Sequence, residues 1–249
     1  MNSRLLVGLI LTCISFVSIA FADDEAPSTI RGHETLHFKD VPLLEAIDKG
    51  DLDQVKKLVN NGASIEIELI NGMKPIHVAA ATGNTAIAEF LLDSGAEVNS
   101  MSNKGITPLI LALDAENMDM IKLFISRGAL YTGQDVYGAI YKDNLDIVKL
   151  LVTSPALANL SGRRNITLLH VAAMVGRPDI VQYLIGQGAR VDAKTSDGET
   201  PLDLAMRNKE RLSGLLDHGV SRQEILGQGF NYDGYEKVIS ILKNNVSQG

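Results

Sequence analysis

The chain has 249 residues, of which 45% are hydrophobic and 21% are charged, a composition typical of a folded globular protein with one or two domains. Its formal net charge is −7, only 5% of its residues are aromatic, and it contains no tryptophan. A nucleic-acid-binding protein would present a basic surface to phosphates or aromatic side chains to bases. Composition therefore argues against nucleic acid as a partner.

The first 22 residues have the layout of a secretory signal peptide. Arg4 precedes an apolar run over residues 5–19, and Ala20 and Ala22 form the A-x-A pattern of a cleavage site. A single membrane anchor is the alternative, but the run is near the lower length limit for a spanning helix, and a cleavage site follows it. The sequence predicts an exported protein, periplasmic or secreted, with no stable membrane span after cleavage.

Cleavage after Ala22 would remove Cys13, the only cysteine of the chain. The mature protein would then have no disulfide, no cysteine nucleophile and no cysteine-based metal site. The polar stretch 23–37 that follows is predicted to be a flexible lead-in.

A period of 33 residues begins after this lead-in. Pro42, Pro75 and Pro108 are 33 residues apart. A series of alanines keeps the same step, with one shorter interval of 27 residues before Ala139: Ala46, Ala79, Ala112, Ala139, Ala172 and Ala205. Because repeats of this length indicate a solenoid, internal repetition is the main fold signal in the chain.

The segment 71–99, "NGMKPIHVAAATGNTAIAEFLLDSGAEVN", shows the plan of one unit. An Asn-Gly turn leads to Pro75, which suits the first turn of a helix. Gly83 can adopt a positive φ and end that helix, and Gly95 can end a second, amphipathic one. Each unit is therefore predicted to contain a turn and two short helices.

This plan resembles the ankyrin repeat, in which T-P-L-H opens the first helix of a 33-residue unit. The matching tetrapeptides here are "VPLL", "KPIH", "TPLI", "TLLH" and "TPLD". The resemblance implies an all-α solenoid of stacked helix-turn-helix units with short β-turn or hairpin fingers, over residues 38–220. Six units fit: 38–70, 71–103, 104–130, 131–163, 164–196 and 197–220. The fourth is expected to lack a full finger, and residues 221–249 to form a C-terminal capping helix and tail.

His77 and His170 occupy one repeat position, 93 residues apart. The resemblance implies that such a histidine bridges backbone groups and the threonine of its tetrapeptide, which ties neighbouring units together. We therefore interpret the following residues as structural: His77, Thr107, Thr167, His170 and Thr200. A metal site would need converging ligands, and only His33 and His37 have a helical ligand spacing.

The sequence contains no GxSxG, HExxH, phosphate-binding loop or dinucleotide-binding motif. We therefore expect no cofactor and no enzymatic activity. The resemblance implies instead a monomeric scaffold that binds a partner protein through a concave face. The alternatives are a secreted effector that binds a host protein, and a metal-binding or hydrolytic enzyme.

The finger tips and the exposed side of each first helix supply the expected partner-binding residues: Asn71, Met73, Asn103, Lys104, Ile106, Tyr141, Lys142, Arg163, Arg164 and Met174. We expect the last five of these to lie close together near the shortened fourth finger. Tyrosine, arginine and methionine are enriched in interface cores. Such a basic and aromatic cluster would favour a partner with an acidic surface.

Overall fold

A computed structural model describes residues 42–69 and 71–246. The predicted signal peptide and lead-in, and the first residues of the predicted first unit, lie outside this part of the chain. The described residues form fourteen α-helices and no strand. In chain order these are Pro42–Asp48 (α1), Leu52–Asn60 (α2), Pro75–Ala81 (α3), Thr85–Asp93 (α4), Pro108–Asp114 (α5), Met118–Ser126 (α6), Gly133–Tyr141 (α7), Leu145–Leu151 (α8), Pro155–Ala158 (α9), Leu168–Val175 (α10), Pro178–Gly186 (α11), Pro201–Asp217 (α12), Arg222–Gly227 (α13) and Tyr235–Val246 (α14).

The helices stack in two rows. Helices α1, α3, α5, α7, α10 and α12 contact one another in succession, and we call them the inner helices. Each also packs against the outer helix of its own unit, and outer helices of neighbouring units touch where α2 meets α4, α4 meets α6, and α8 meets α11. Buried aliphatic side chains from both rows form one continuous core. The predicted all-α repeat solenoid is confirmed.

Asparagine side chains begin three of the outer helices and also join neighbouring units. Asn84, Asn117 and Asn144 are N-cap residues of α4, α6 and α8. The Asn84 amide donates to the Ile47 carbonyl at 2.8 Å, and the Asn117 amide donates to the Gly83 carbonyl at 3.4 Å. The Asn117 and Asn144 side chains also cap their own helices, which stabilises a helix by about 1 kcal/mol, whereas the Asn84 side chain makes no capping bond and instead links two units.

In the described residues, four turns project before inner helices, and we call them fingers and number them by their units. They are the second finger (residues 69 and 71–73), the third (102–106), the fifth (162–166) and the sixth (195–199). Each is closed by a backbone hydrogen bond from its first to its last residue, as between Ser102 N–H and the Ile106 carbonyl at 3.0 Å. Only an isolated bridge between Ser161 and Thr167 resembles strand pairing among the described residues. The fingers are therefore turns rather than extended hairpins.

The fourth unit has no comparable turn. Residues 129–132 run directly from the end of the third unit to α7, and this described stretch contains no closing hydrogen bond of the finger type. Tyr137 stands at the histidine position of this unit, and its hydroxyl donates to the Ile166 carbonyl of the next finger. The preceding unit has Ile110 at the equivalent position, where there is no following finger to bond.

The sixth unit differs from the expected helix pair. Its inner helix α12 continues for 17 residues without a break. Earlier units turn here at a residue with a positive φ, such as Gly83 and Gly176 at 76° and Glu116 at 52°, whereas Lys209 at this position stays helical and Glu210 replaces the capping asparagine. With neither a left-handed turn residue nor an N-cap, the helix has no local reason to end.

The outer helix of the sixth unit is supplied by α14. This helix packs against α12, as an outer helix does within its unit, and against α11, as neighbouring outer helices do. Val238 and Leu242 are fully buried in that contact, and Ile239 and Ile241 are partly buried. The unit boundary expected at residue 220 therefore cuts through the sixth unit, and residues 218–234 form an insertion within it.

Candidate partner-binding surface

The two repeat histidines are fully buried and bonded to neighbouring backbone. In His170, Nδ1 lies 2.8 Å from the Thr167 hydroxyl, and Nε2 lies 3.1 Å from the carbonyl of Glu199 in the next finger. In His77, Nδ1 accepts from the Lys74 N–H at 3.1 Å, and Nε2 lies 3.1 Å from the Ile106 carbonyl. In each histidine Nδ1 is thus bonded within its own unit, and Nε2 joins that unit to the next finger.

Burial sets the charge state of these imidazoles. It lowers the pKa of both His77 and His170 below the ordinary histidine value, against a smaller opposing effect of the backbone carbonyls that they face. A neutral imidazole can accept at Nδ1 while it donates at Nε2, which is the pattern that these contacts require. The geometry describes a structural link between units.

Acidification is expected to destabilise the fold through these two residues. Because the folded state holds both imidazoles neutral, unfolding takes up protons below the unfolded-state pKa of about 6.5. Stability that is present above this pH is lost as the pH falls, by at most about 1.4 kcal/mol per pH unit for each histidine. Urea unfolding at about pH 7.5 and about pH 5.5 measures this slope.

His170→Gln should reduce the slope, whereas His218→Gln, at an exposed histidine, should leave it unchanged. An undiminished slope in His170→Gln would contradict the assignment of the pH dependence to buried imidazoles.

The threonines of the tetrapeptides cap the inner helices. The Thr107 hydroxyl accepts from the Ile110 N–H at 3.4 Å, and the Thr167 hydroxyl accepts from the His170 N–H at 3.3 Å. Thr200 and Asp203 form a reciprocal capping box at the start of α12. Each satisfies one of the backbone donors that a helix leaves open at its start.

The surface formed by the fingers and the inner helices is here called the inner face. One repeat position near the end of the inner-helix segment is exposed or half-exposed in five successive units: Ala81, Asp114, Tyr141, Met174 and Arg207. Two polarizable or aromatic side chains therefore stand at the centre of this row, with a carboxylate on one side and a guanidinium on the other. Such side chains are well suited to contact a protein partner.

The five residues expected to cluster do not share one place. Arg163 and Arg164 lie in the fifth finger, before α10 begins, whereas Met174 lies at the far end of α10, about 10 Å along the helix axis. Tyr141 and Lys142 lie at that same far end, where α7 stops. The expectation of a single cluster is wrong because the inner helix separates the finger from the loop behind it.

Two of the three cations in that set are already paired within the chain. Lys142 Nζ lies 3.3 Å from an Asp114 carboxylate oxygen, and Arg164 forms an ion pair with Asp197. Arg163 is exposed and makes no ion pair within the described residues. Within this set, the positive charge available to an acidic partner is therefore that of Arg163 in the fifth finger, and not that of Lys142 at the end of α7.

The remaining predicted residues are divided between surface and core. Asn103 and Lys104 are exposed at the third finger, while Asn71 and Ile106 are partly buried. Met73 is 5% exposed, so its side chain is buried. Its place in the predicted partner-binding set is therefore withdrawn.

Arg177 is a residue that sequence analysis missed. It occupies the repeat position of the capping asparagines, yet it is 5% exposed. Its Nη2 donates to the carbonyls of Tyr141 at 2.7 Å and Gly229 at 2.9 Å, and its Nη1 donates to an Asp143 carboxylate oxygen at 3.2 Å. The large cation in place of asparagine was the available signal, and the guanidinium holds the insertion against the fourth and fifth units.

Among residues 42–69 and 71–246, no group of histidine, cysteine, aspartate and glutamate side chains could hold a metal ion. No helix in this part of the chain has the length and apolar character needed to cross a membrane.

Comparison with known families agrees with the repeat geometry. A family profile for ankyrin repeats, built on three copies, matches residues 43–135 and 136–223, which is most of the chain. The chain belongs to the ankyrin-repeat family. An ankyrin-repeat fold is typically a scaffold for protein interaction rather than a catalyst.

Individual ankyrin-repeat relatives are more distant. The human transient receptor potential cation channel subfamily A member 1 is 25% identical over 269 residues, which covers 82% of this chain and 24% of the channel. The chain thus spans about a quarter of the length of that curated relative.

Two solved structures show the same fold. The human ASB11 ankyrin repeat domain has a TM-score of 0.54 and 27% identity, and the match covers 72% of this chain and 84% of that domain. A chain from the complex of the endopeptidase Bd0816 of Bdellovibrio bacteriovorus with the immunity protein Bd3460 has a TM-score of 0.59 and 26% identity, covering 72% of this chain and 98% of that one.

Proposed function

We propose that this chain is an exported ankyrin-repeat scaffold that binds a partner protein through its inner face and has no catalytic activity of its own. The observation that carries the proposal is the partly buried pair Tyr141 and Met174, which packs against the core at the centre of the inner face. A rigid surface of this kind loses little conformational freedom on binding.

Several observations support the separate parts of this proposal. The signal-peptide layout of residues 1–22 supports export to the periplasm or the medium. The buried and doubly bonded state of His77 and His170 supports the absence of catalysis, since their ring nitrogens already serve the fold. The similarity to a chain from an endopeptidase–immunity protein complex supports a protein as the partner.

A charge introduced at the centre of the inner face should prevent binding. Met174→Arg is expected to weaken partner capture at least about tenfold, because a desolvated interface centre carries most of the binding energy. The measurement is affinity capture from the native envelope fraction or medium, with the bound protein quantified by mass spectrometry.

Met118→Arg is the matched control. Met118 is also partly buried against the core, but it lies on the outer helix α6. Equal loss of capture in both variants, with both folded by circular dichroism, would assign the effect to general damage and contradict an inner-face site. Cell fractionation tests export separately.

A further inference from the structure

The missing fourth finger leaves a break in the contacts between fingers. Elsewhere one finger donates to the finger before it: Asn103 N–H bonds to the Asn71 carbonyl at 2.9 Å, and Ser196 N–H bonds to the Arg164 carbonyl at 2.8 Å. At the break, the equivalent groups are the Lys104 carbonyl and the Arg163 N–H. Neither makes a backbone hydrogen bond in the described part of the chain. One backbone acceptor and one backbone donor therefore lie on the two sides of the absent finger.

The size of the break matches one hairpin turn. Packed helices lie about 8–10 Å apart, so each unit advances the stack by about that distance. Two extended segments side by side occupy about 10 Å, since neighbouring strands are about 4.8 Å apart. The space between the third and fifth fingers therefore suits a two-stranded turn, which is the shape of the finger that this unit lacks.

The charge at the break selects for an acidic group. Lys104 and Arg163 are exposed on its two sides, and within the described residues neither side chain has an ion pair. The neighbouring Arg164 is paired with Asp197. On a chain with a formal net charge of −7, this is a local positive site, and it favours a carboxylate-bearing turn.

Apolar side chains lie exposed beside the same break. Met101 is 67% exposed and Leu130 is 76% exposed. They belong to neighbouring segments, because the Asn99 side chain accepts from the Leu130 N–H at 2.8 Å and donates to the Gly128 carbonyl at 3.1 Å. The equivalent positions of other units carry polar or charged residues: Ser64, Glu68, Glu97, Arg190 and Lys194. The two apolar side chains are therefore a feature of this break alone among those units, and they would be covered by an occupant.

We propose that an acidic hairpin turn of the partner protein binds between the third and fifth fingers and takes the place of the absent fourth finger. Its backbone would accept from the Arg163 N–H and donate to the Lys104 carbonyl, its carboxylates would pair with the side chains of those residues, and an apolar residue would cover Met101 and Leu130. This inference rests on the proposed protein-binding function and adds the chemistry of the bound segment.

A library of short disulfide-closed peptides, displayed on phage and selected against the purified chain, provides the probe. Selected peptides are expected to carry aspartate or glutamate at the turn, and their affinity, measured by fluorescence anisotropy, is expected to fall as salt is raised. Selection of turns without acidic residues would overturn the proposal.

Two variants test the position. One restores the finger by insertion of a copy of residues 160–165 after Tyr131, and the other is Lys104→Glu with Arg163→Glu. Each is expected to weaken the selected peptides at least about tenfold. The matched control reverses Lys122 and Lys237 to glutamate, two exposed residues on outer helices, and should bind as the unmodified chain does.

Unchanged peptide affinity in the finger-restored variant would overturn the inference. So would light scattering that shows the chain itself to be a dimer that dissociates when the finger is restored, because the occupant would then be a second copy. If native partner capture is lost in Met174→Arg but unchanged in both finger variants, the proposed function stands and this inference fails.

Discussion

Gly176→Ala is expected to lower the free energy of unfolding by about 3 kcal/mol or more. Gly176 has a φ of 76°, a conformation that costs a residue with a Cβ about 1–2 kcal/mol. The added Cβ would also lie 2.3 Å from the Asn231 carbonyl oxygen, so the backbone of the insertion would have to move. Overpacking of this kind costs about another 1–3 kcal/mol. Urea unfolding followed by circular dichroism gives the free energy directly.

Gly83→Ala is the matched control for this prediction. Gly83 occupies the same repeat position with the same φ of 76°, but its added Cβ would meet only the flexible Asn117 amide at 3.4 Å. This variant should lose only about 1–2 kcal/mol, the cost of the left-handed backbone. Equal losses in the two variants would show that the insertion does not lie against the fifth unit.

Arg177→Ala is the second substitution with a large expected effect, a loss of about 2–3 kcal/mol. It removes hydrogen bonds from a charged donor to the Tyr141 and Gly229 carbonyls, which leaves these acceptors unsatisfied in a partly buried site. Asp143 is 46% exposed, so water can solvate its carboxylate after the change, and the loss should stay below that of a fully buried ion pair. Hydrogen exchange should rise over residues 219–234.

Arg177→Asn separates the two roles of this position. Arginine makes no side-chain capping bond at the start of α11, whereas asparagine caps the equivalent helices α6 and α8. The variant should recover about 1 kcal/mol relative to Arg177→Ala through the cap, yet show the same rise in exchange over residues 219–234. Protection of that segment in Arg177→Asn would disprove the proposed role of the guanidinium.

Much of the fold followed from the spacing of prolines, alanines and glycines, because each of these residues has a local reason for its place. Pro75 begins a helix and Gly83 ends it, so a sequence that repeats them must repeat the helix. The identification of the repeat family rests on that same local chemistry. Local rules of this kind can be applied without knowledge of distant contacts.

The sixth unit could not be predicted in this way. The completing helix α14 is separated from its unit by the insertion, and only its burial against α11 reveals its role. The segment "YEKVISILKNN" does resemble "LDQVKKLVNNG" of the first unit, which begins with the outer helix α2. That similarity indicates an outer helix, but the segment lies outside the 33-residue period, so the spacing does not assign it to the sixth unit.

The inner face was predicted in part. Repeat position correctly indicated that Lys104 and Arg163 are exposed, since these residues follow the finger turn. It did not indicate that Met73 is buried or that Tyr141 lies away from Arg163. The burial of Met73 depends on how its finger packs, and the separation of Tyr141 from Arg163 depends on the length of the inner helix between finger and loop, and a periodic alignment encodes neither.

The place of α14 has a consequence for how the protein acquires its structure during synthesis. In a solenoid with contiguous units, each new unit can pack on the previous one as soon as its residues leave the ribosome. Here the sixth unit must wait until α14 has been synthesised and must also close the loop of the insertion, which carries an added entropic cost. Until then, the apolar side of α11 stays open to water. Synthesis of α14 therefore controls when this side of α11 becomes protected from aggregation and proteolysis.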